Sequence, residues 1–435
     1  MNLIFTFIVF IICIVASLIS GISMLIPLAV GFLLFASLAV KQGFELRAVL
    51  KMAAGSMKDS FIVVGVLILI GCLTGLWRAS GTVAYFVTLG ITAIPPAFFI
   101  LAAFLLSAVM SYAIGTSFGV TATAGVILMS IAHAGSISPI PVAGAVMSGV
   151  YVGDRGSPAS SAANLVAALT GTDINVNIRK MLKPSLLPLI ICCAAYGALS
   201  LFYPMQSADT QVLHDLADEF ELTWPCLIPA LLMIILPFCK IPVKRAMAID
   251  IVVSFVLTMA VQNESFFACI KSAVLGFEPN NTELSSMLSG GGIKSMLEVC
   301  GILLLSGSYG GIFRGTDMLS GLTEKLESLS SRLGRFAVMI IMSLGVSMVF
   351  CNQTIGIIML NQLSDGLYGS DDAEKYAKML DIEDSVVLIS GLVPWCIACS
   401  VPLAMLGVGA VCVPLAFYLW LVPLCSLIMN KAKNP

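Results

Sequence analysis

Residues 55–81 read GSMKDSFIVVGVLILIGCLTGLWRASG, and residues 291–317 read GGIKSMLEVCGILLLSGSYGGIFRGTD. The second lies over the first without a gap. Gly55, Lys58, Gly65, Gly71, Gly75 and Arg78 fall on Gly291, Lys294, Gly301, Gly307, Gly311 and Arg314. Glycines alone recur by chance in apolar sequence. A lysine and an arginine that hold the same places among them are harder to dismiss. Each stretch is long and apolar enough for a membrane crossing, so the pair predicts a duplicated membrane unit.

The connections give the two copies an orientation. Residues 41–51 (KQGFELRAVLK) with Lys58, residues 179–183 (RKMLK) and residues 240–245 (KIPVKR) are basic. The loop 263–294 is mixed, with Glu278 and Glu283 against Lys271 and Lys294. Basic loops stay on the cytoplasmic side, which places the Lys58 end inside and the Lys294 end outside. The copies are then inverted, the usual build of a secondary transporter.

Composition agrees with that class. Of 435 residues 59% are apolar and 11% are charged, against about 25% charged in a soluble domain. A globular enzyme is a poor reading of such a chain. The net charge of −2 comes without a basic, aromatic-interleaved patch, so no nucleic-acid partner is expected. The first 40 residues lack a basic n-region and a cleavage site, and they read as retained spans and not as a signal peptide. No Walker A segment is present, which speaks against ATP as the energy source. The 13 cysteines and two histidines show no repeated ligand spacing. The cysteines, Cys396 and Cys399 included, read as small hydrophobes, and no metal centre or cofactor is expected.

Candidate spans lie at 2–20, 22–40, 60–77, 82–110 (two segments around Pro95 and Pro96), 119–132, 137–152, 184–203, 225–239, 245–262, 296–312, 334–350, 353–363, 385–401 and 402–428. Gly, Pro and hydroxyl clusters are expected to break helices at 111–119, 153–161, 306–311 and 351–356. Irregular backbone at membrane depth needs protein or a watery cavity around it, so these breaks predict a lined central site. The domain reading is 1–50 for N-terminal helices, 51–205 for the first inverted half, 206–290 for connecting helices and 291–435 for the second half. Charged 371–384 (DDAEKYAKMLDIED) reads as a solvated cover over a helix end. Asp317 follows Arg314 closely enough to pair with it.

The chemistry concentrates in YVGDRGSPASSAANL, residues 151–165. A carboxylate inside a membrane costs about 2.5–3.5 kcal/mol on insertion scales unless it is paired or hydrated, and Asp154 stands between long apolar runs. Gly153 and Gly156 let the chain turn, Pro158 suits the start of a helix, and Ser157, Ser160 and Ser161 can cap it. Asp154 with the oxygens of Ser157 and Asn164 forms a hard-cation set suited to Na+, and the same carboxylate can take a proton instead. Arg155 can hold that carboxylate charged or attract an organic anion; a neutralised Asp154–Arg155 pair is the bland alternative. Carbonyls near Thr116 and Ser117, in the glycine-broken stretch GTSFG, can face the same cavity. Asn352, Gln353 and Thr354, in VFCNQTIGI (349–357), form the inverted counterpart and, with Ser160, candidate substrate contacts.

GTSFGVTATAG (115–125), SGVYVGDRGSPASSAANLVAALTGTD (148–173) and SGLVPWCIACSVPLAMLGV (390–408) resemble the NhaC family of Na+/H+ antiporters, in order and over most of the chain. That family sits in a wider ion-transporter superfamily that also holds carriers of organic anions. The resemblance implies that Asp154, Ser157, Pro158 and Asn164 belong to the central cation region. It also implies an all-α polytopic membrane protein of inverted repeats with broken or re-entrant helices, in which a mobile transport domain works against a scaffold; a homodimer rests on the same likeness. Leu392-Val393-Pro394-Trp395 matches a later family motif, but Cys396 stands where that motif has Asn. The expectation is a multi-pass protein of the cytoplasmic membrane, surrounded by lipid, that is not an enzyme and exchanges Na+ for H+ by alternating access. The second reading is a Na+- or H+-coupled exchanger of small organic anions or amino acids.

Overall fold

The computed structural model describes residues 3–20, 22–205, 210–239, 241–316, 330 and 332–433. Lys240 and Asp317 lie outside the described residues. The described chain is helical throughout: α1 (Leu3–Ser20), α2 (Leu25–Lys41), α3 (Leu46–Ala79), α4 (Thr82–Ala93), α5 (Phe99–Ile114), α6 (Ser117–Ala134), α7 (Pro139–Gly156), α8 (Ser161–Thr170) and α9 (Ile174–Phe202) come first. After α10 (Thr210–Glu219) and α11 (Ile228–Phe238) follow α12 (Val243–Ala260), α13 (Phe266–Leu275), α14 (Gly292–Thr316), α15 (Arg335–Phe350), α16 (Gln353–Leu363), α17 (Asp372–Glu383), α18 (Ile397–Leu406) and α19 (Phe417–Lys433). Four described helical segments are long and apolar enough to cross a bilayer alone, and bent pairs raise the number to as many as seven. This is an all-α, multi-pass membrane protein. Pro95 and Pro96 divide 82–110 into α4 and α5, as the sequence predicts.

The offset that aligns the quoted stretches, 55 to 291, recurs at the ends of other elements. It carries α5 onto α15 (99 to 335 and 114 to 350) and α8 onto α18 (161 to 397 and 170 to 406). It also carries backbone conformation. Gly115 and Cys351, which cap α5 and α15, are both left-handed, with φ of 76° and 52°. Thr116 and Asn352, which follow them, are both extended, at φ −145° and −142°. Gly171 and Gly407 end α8 and α18, each at φ 67°. Left-handed backbone strains a residue with a Cβ by about 1–2 kcal/mol. Gly171→Ala and Gly407→Ala should therefore each lower stability by about that amount, read as a falling melting midpoint in detergent. An unchanged midpoint at both positions would contradict the backbone described here.

The quoted stretches themselves fold as α3 and α14, which pack against one another antiparallel. A Cβ on Gly71 would lie 2.7 Å from the Gly292 carbonyl oxygen, and one on Gly75 would meet the backbone of Ser272 and Gly292. At the other end, a Cβ on Gly307 would strike Ser60, and one on Gly311 would strike Met52 and Ser56. The contacts are reciprocal: the late glycines of each copy face the early residues of the other. Small residues allow such backbone approach, which van der Waals contact then stabilises in a lipid environment. Arg314 extends the pattern, with its Nε on the Gly310 carbonyl (3.1 Å) and its Nη2 on the Ser56 hydroxyl (2.8 Å). Arg78 likewise reaches back four residues, to the Thr74 carbonyl at 3.0 Å.

Two expectations are corrected. The glycines at 306–311 do not break a helix, because α14 runs through them and uses them for contact with α3. Nor is 371–384 a solvated cover. Its beginning is exposed, but Lys378, Asp381, Glu383 and Asp384 are buried, and the segment runs as α17 toward the centre. The other three expected breaks are present, at 115–116, at 157–160 and at 351–352.

Candidate cation-binding site

Two interrupted helices meet at one carboxylate. α5 stops at Gly115, where a Cβ would strike the backbone of Ala159, and α6 restarts at Ser117 with Thr116 as its N-cap. α15 stops at Cys351, and α16 restarts at Gln353, with the Asn352 side chain accepting from the Ile355 amide at 3.2 Å. Asp154 sits two residues before the end of α7 and is only 4% exposed. Its Oδ2 accepts from Gln353 Nε2 at 3.0 Å, and Ser117, the first residue of α6, lies beside the same carboxylate. Gln353 Nε2 also donates to the Val387 carbonyl at 2.9 Å. The carboxylate thus lies at the starts of α6 and α16, where unpaired N–H groups and the helix dipole favour negative charge.

The surroundings hold Asp154 by its backbone. Gly153 lies against α5 so closely that a Cβ would overlap the Ser111 carbonyl. The Ser111 hydroxyl donates to the Val150 carbonyl, and the Ser157 hydroxyl donates to the Tyr112 carbonyl at 2.6 Å. Ser160 caps α8 by accepting from the Ala163 amide (3.2 Å) while its hydroxyl donates to the Asp154 carbonyl. The Asn164 amide group bonds the Pro158 and Ser160 carbonyls at 2.9 and 2.7 Å, and Asn164 is exposed. In the matching place on α18, Cys396 is the N-cap and makes no side-chain cap bond. The Cys351 carbonyl accepts from the Ile397 amide at 2.9 Å, and Trp395 Nε1 donates to the Met348 carbonyl at 3.0 Å.

Of the ten residues singled out in the sequence, Asp154 and Gln353 are joined by a side-chain hydrogen bond, with Ser117 beside them. Thr116 and Asn352 cap the helices that carry two of these partners. Ser157, Ser160 and Asn164 turn their side chains to backbone carbonyls of Tyr112, Asp154, Pro158 and Ser160, and Thr354 is exposed.

Arg155 requires a correction. It does not pair with Asp154, because on α7 it points to a different neighbour, Asp384. Its Nε donates to Asp384 Oδ1 at 2.9 Å, and Nη2 forms an ion pair with the same oxygen; both side chains are fully buried. The Ser185 hydroxyl accepts from its Nη1, and Ser426 donates to Asp384 Oδ2 at 2.6 Å. The guanidinium is therefore committed to a carboxylate of the chain itself. A cavity of about 780 Å³, walled by Arg179, Lys180, Lys183, Tyr376, Asp381 and Asp384, opens beside this pair. Asp384 and its neighbour Glu383 are absent from the residues that sequence reasoning selected. The signal for them was the apolar run SVVLIS that follows directly: a charged helix feeding such a run must carry its last charges inward.

The sequence profile of the Na+/H+ antiporter family matches residues 2–163 and 149–430. The chain is 25% identical to the Na+/H+ antiporter NhaC of Bacillus subtilis over 94% of its own length and 92% of that protein. It is also 25% identical to the malate-2H+/Na+-lactate antiporter of Bacillus subtilis, over 85% of this chain and 81% of the relative. Similarity extends to the arginine/ornithine antiporter ArcD of Halobacterium salinarum, 24% identical over 76% of this chain and 70% of that one.

Proposed function

The chain belongs to the Na+/H+ antiporter family, and from that premise we propose that it exchanges Na+ for H+ across the cytoplasmic membrane by alternating access, with Asp154 as the shared ligand. The observation that carries this reading is a buried carboxylate between the starts of two interrupted helices, bonded by Gln353 and flanked by Ser117. Such a carboxylate binds one positive charge at a time, a proton or a metal cation, and competition between them is exchange. When Na+ arrives, the Ser117 hydroxyl can turn its oxygen toward the ion. Rotation of the Gln353 amide replaces its N–H donor by the carbonyl oxygen. Both changes convert a donor shell around a carboxylate into an oxygen shell around a cation, the ligand type that hard cations prefer.

The test uses purified protein in proteoliposomes with an internal pH dye and an imposed proton gradient. Added Na+ should collapse the gradient, and Asp154→Asn should abolish that response, by about 100-fold or more. This follows because an amide cannot supply the charge that about 2–4 kcal/mol of ion-pair stabilisation requires. Wild-type exchange in Asp154→Asn would sink the assignment.

The names of two relatives favour a second reading, exchange of an organic ion coupled to Na+ or H+. Counterflow of a labelled carboxylate or amino acid would establish it. Arg155 would not then be the anchor for a carboxylate substrate, since Asp384 already holds it.

A further inference from the structure

We propose that the cavity between α9, α17 and α19 binds an anionic phospholipid, which it takes by the phosphate head group. The inference holds whichever solutes the protein exchanges. The cavity volume of about 780 Å³ falls within the range of sites that take small molecules, about 300–1,000 Å³. Arg179, Lys180 and Lys183 bring three cations to its wall from little more than one turn of α9. Among the described residues, none of the three has a carboxylate within ion-pair distance. Lys180 Nζ sits 4.9 Å from the centre of the Tyr376 ring, another wall residue, and that attraction keeps its charge at the cavity.

Two carboxylates share the wall, Asp381 and Asp384. Neither is free to neutralise these cations. Arg155 and Ser426 hold Asp384. Tyr368 donates to Asp381 at 2.7 Å, with Arg335 Nε 3.8 Å from the same oxygen. Both acids are buried, whereas the three basic residues are exposed. The accessible part of the cavity is therefore positive and suits an anion.

A soluble anion would answer the charge, but the surroundings select a lipid. On α9, Arg179, Lys183, Leu186, Leu187 and Ile190 stand at i, i+4, i+7, i+8 and i+11, which is one face of a helix. Its three apolar members are exposed. On α19, Leu424 and Ile428 are exposed one turn apart, and Met429 and Asn430 just beyond them line the cavity. The cations thus stand at the end of an apolar, outward-facing surface, with charge for a head group and apolar area for its acyl chains. The basic run belongs to the cytoplasmic leaflet by the loop rule. Basic pockets between spans on that side hold anionic head groups. A run that served only to fix topology would need the charges, but neither the cavity nor the apolar face beneath it.

The test titrates lipid into the full-length protein in nonionic detergent and reads the melting midpoint. Phosphatidylglycerol should raise the midpoint saturably, and phosphatidylcholine and free glycerol 3-phosphate should not. Arg179→Gln, Lys180→Gln and Lys183→Gln should each raise the half-saturating phosphatidylglycerol concentration about fivefold, and together about a hundredfold. Arg47→Gln with Lys51→Gln removes exposed cations that do not line the cavity, and it should leave the titration unchanged. An equal shift with phosphatidylcholine overturns the proposal, as does a triple variant that titrates like wild type or an equal loss in the control pair. Stabilisation by glycerol 3-phosphate alone overturns it in favour of a soluble phosphate ligand. Should the triple variant not fold, wild type decides. Phosphatidylglycerol with a photoreactive acyl chain should label peptides that contain residues 186–190 and 424–428, and labelling confined to other peptides overturns the site.

Discussion

Asp384→Leu should destabilise the protein by about 3–5 kcal/mol, the range for removing one partner of a buried ion pair. The reason lies with the group left behind. Arg155 is 1% exposed and, among the described residues, has no other carboxylate at hydrogen-bond distance; Ser185 and a 3.5 Å contact to the Tyr418 hydroxyl are what remain. A guanidinium in that position keeps its charge and loses its compensation. The Ser426 hydroxyl loses its acceptor at the same time. Replacing both members, as Arg155→Met with Asp384→Leu, should recover most of the lost stability, because two apolar side chains of suitable volume need no compensation. Denaturation of single and double variants in detergent micelles reads both effects. A single variant as stable as wild type would mean that this pair is not the buried contact described.

Gly153→Ala is the second substitution with a large expected effect, and Gly156→Ala is its internal control. A Cβ on Gly153 would overlap the Ser111 carbonyl and press on the Tyr112 amide, whereas one on Gly156 meets nothing within 4 Å. The obstacle at Gly153 is backbone and cannot rotate away, so α5 and α7 must separate. Overpacking of this kind costs about 1–3 kcal/mol, and here the displaced residue is the immediate neighbour of Asp154. Stability should fall by about 3 kcal/mol and exchange should be lost with it, while Gly156→Ala stays within about 0.5 kcal/mol of wild type. Thermal melting and the pH-dye assay on both proteins check this. Equal behaviour of the two variants would contradict the α5–α7 crossing.

The sequence exposed the parts of this architecture that depend on residue identity. Matched glycines and two matched basic residues marked α3 and α14 as copies, since close helix approach demands small residues at set positions. Asp154 stood out because a carboxylate among apolar runs needs a reason, and Gln353 because three polar residues interrupt an apolar helix. Other correspondences carry no such signature. α5 and α15 share length and termini, yet one caps with Gly115 and the other with Cys351. Lipid-facing helices require apolar bulk and tolerate its rearrangement, so conformation can be kept while identities drift.

Glu383 and Asp384 were hidden for a different reason. A run such as DDAEKYAKMLDIED has one average polarity, but a helix distributes it over faces and along its length. Asp371 and Asp372 stay in solvent, and the same helix buries Asp381 and Glu383. Averages over the run cannot separate these. The glycines at 306–311 misled in the opposite sense: a residue that permits a break also permits contact, and only the facing helix decides between them.

The reciprocal seam between α3 and α14 also bears on how the protein is made. Gly71 and Gly75 find their partners at Ser272, Gly292 and Ile293, which leave the ribosome about two hundred residues later. At synthesis rates of about 5–20 residues per second, that separation lasts about 10–40 s. Throughout the interval α3 is inserted but unmatched, with its glycine groove open to lipid or to the insertion machinery. Biogenesis of this chain thus includes a waiting period, and its length is set by the spacing of the two copies along the gene product.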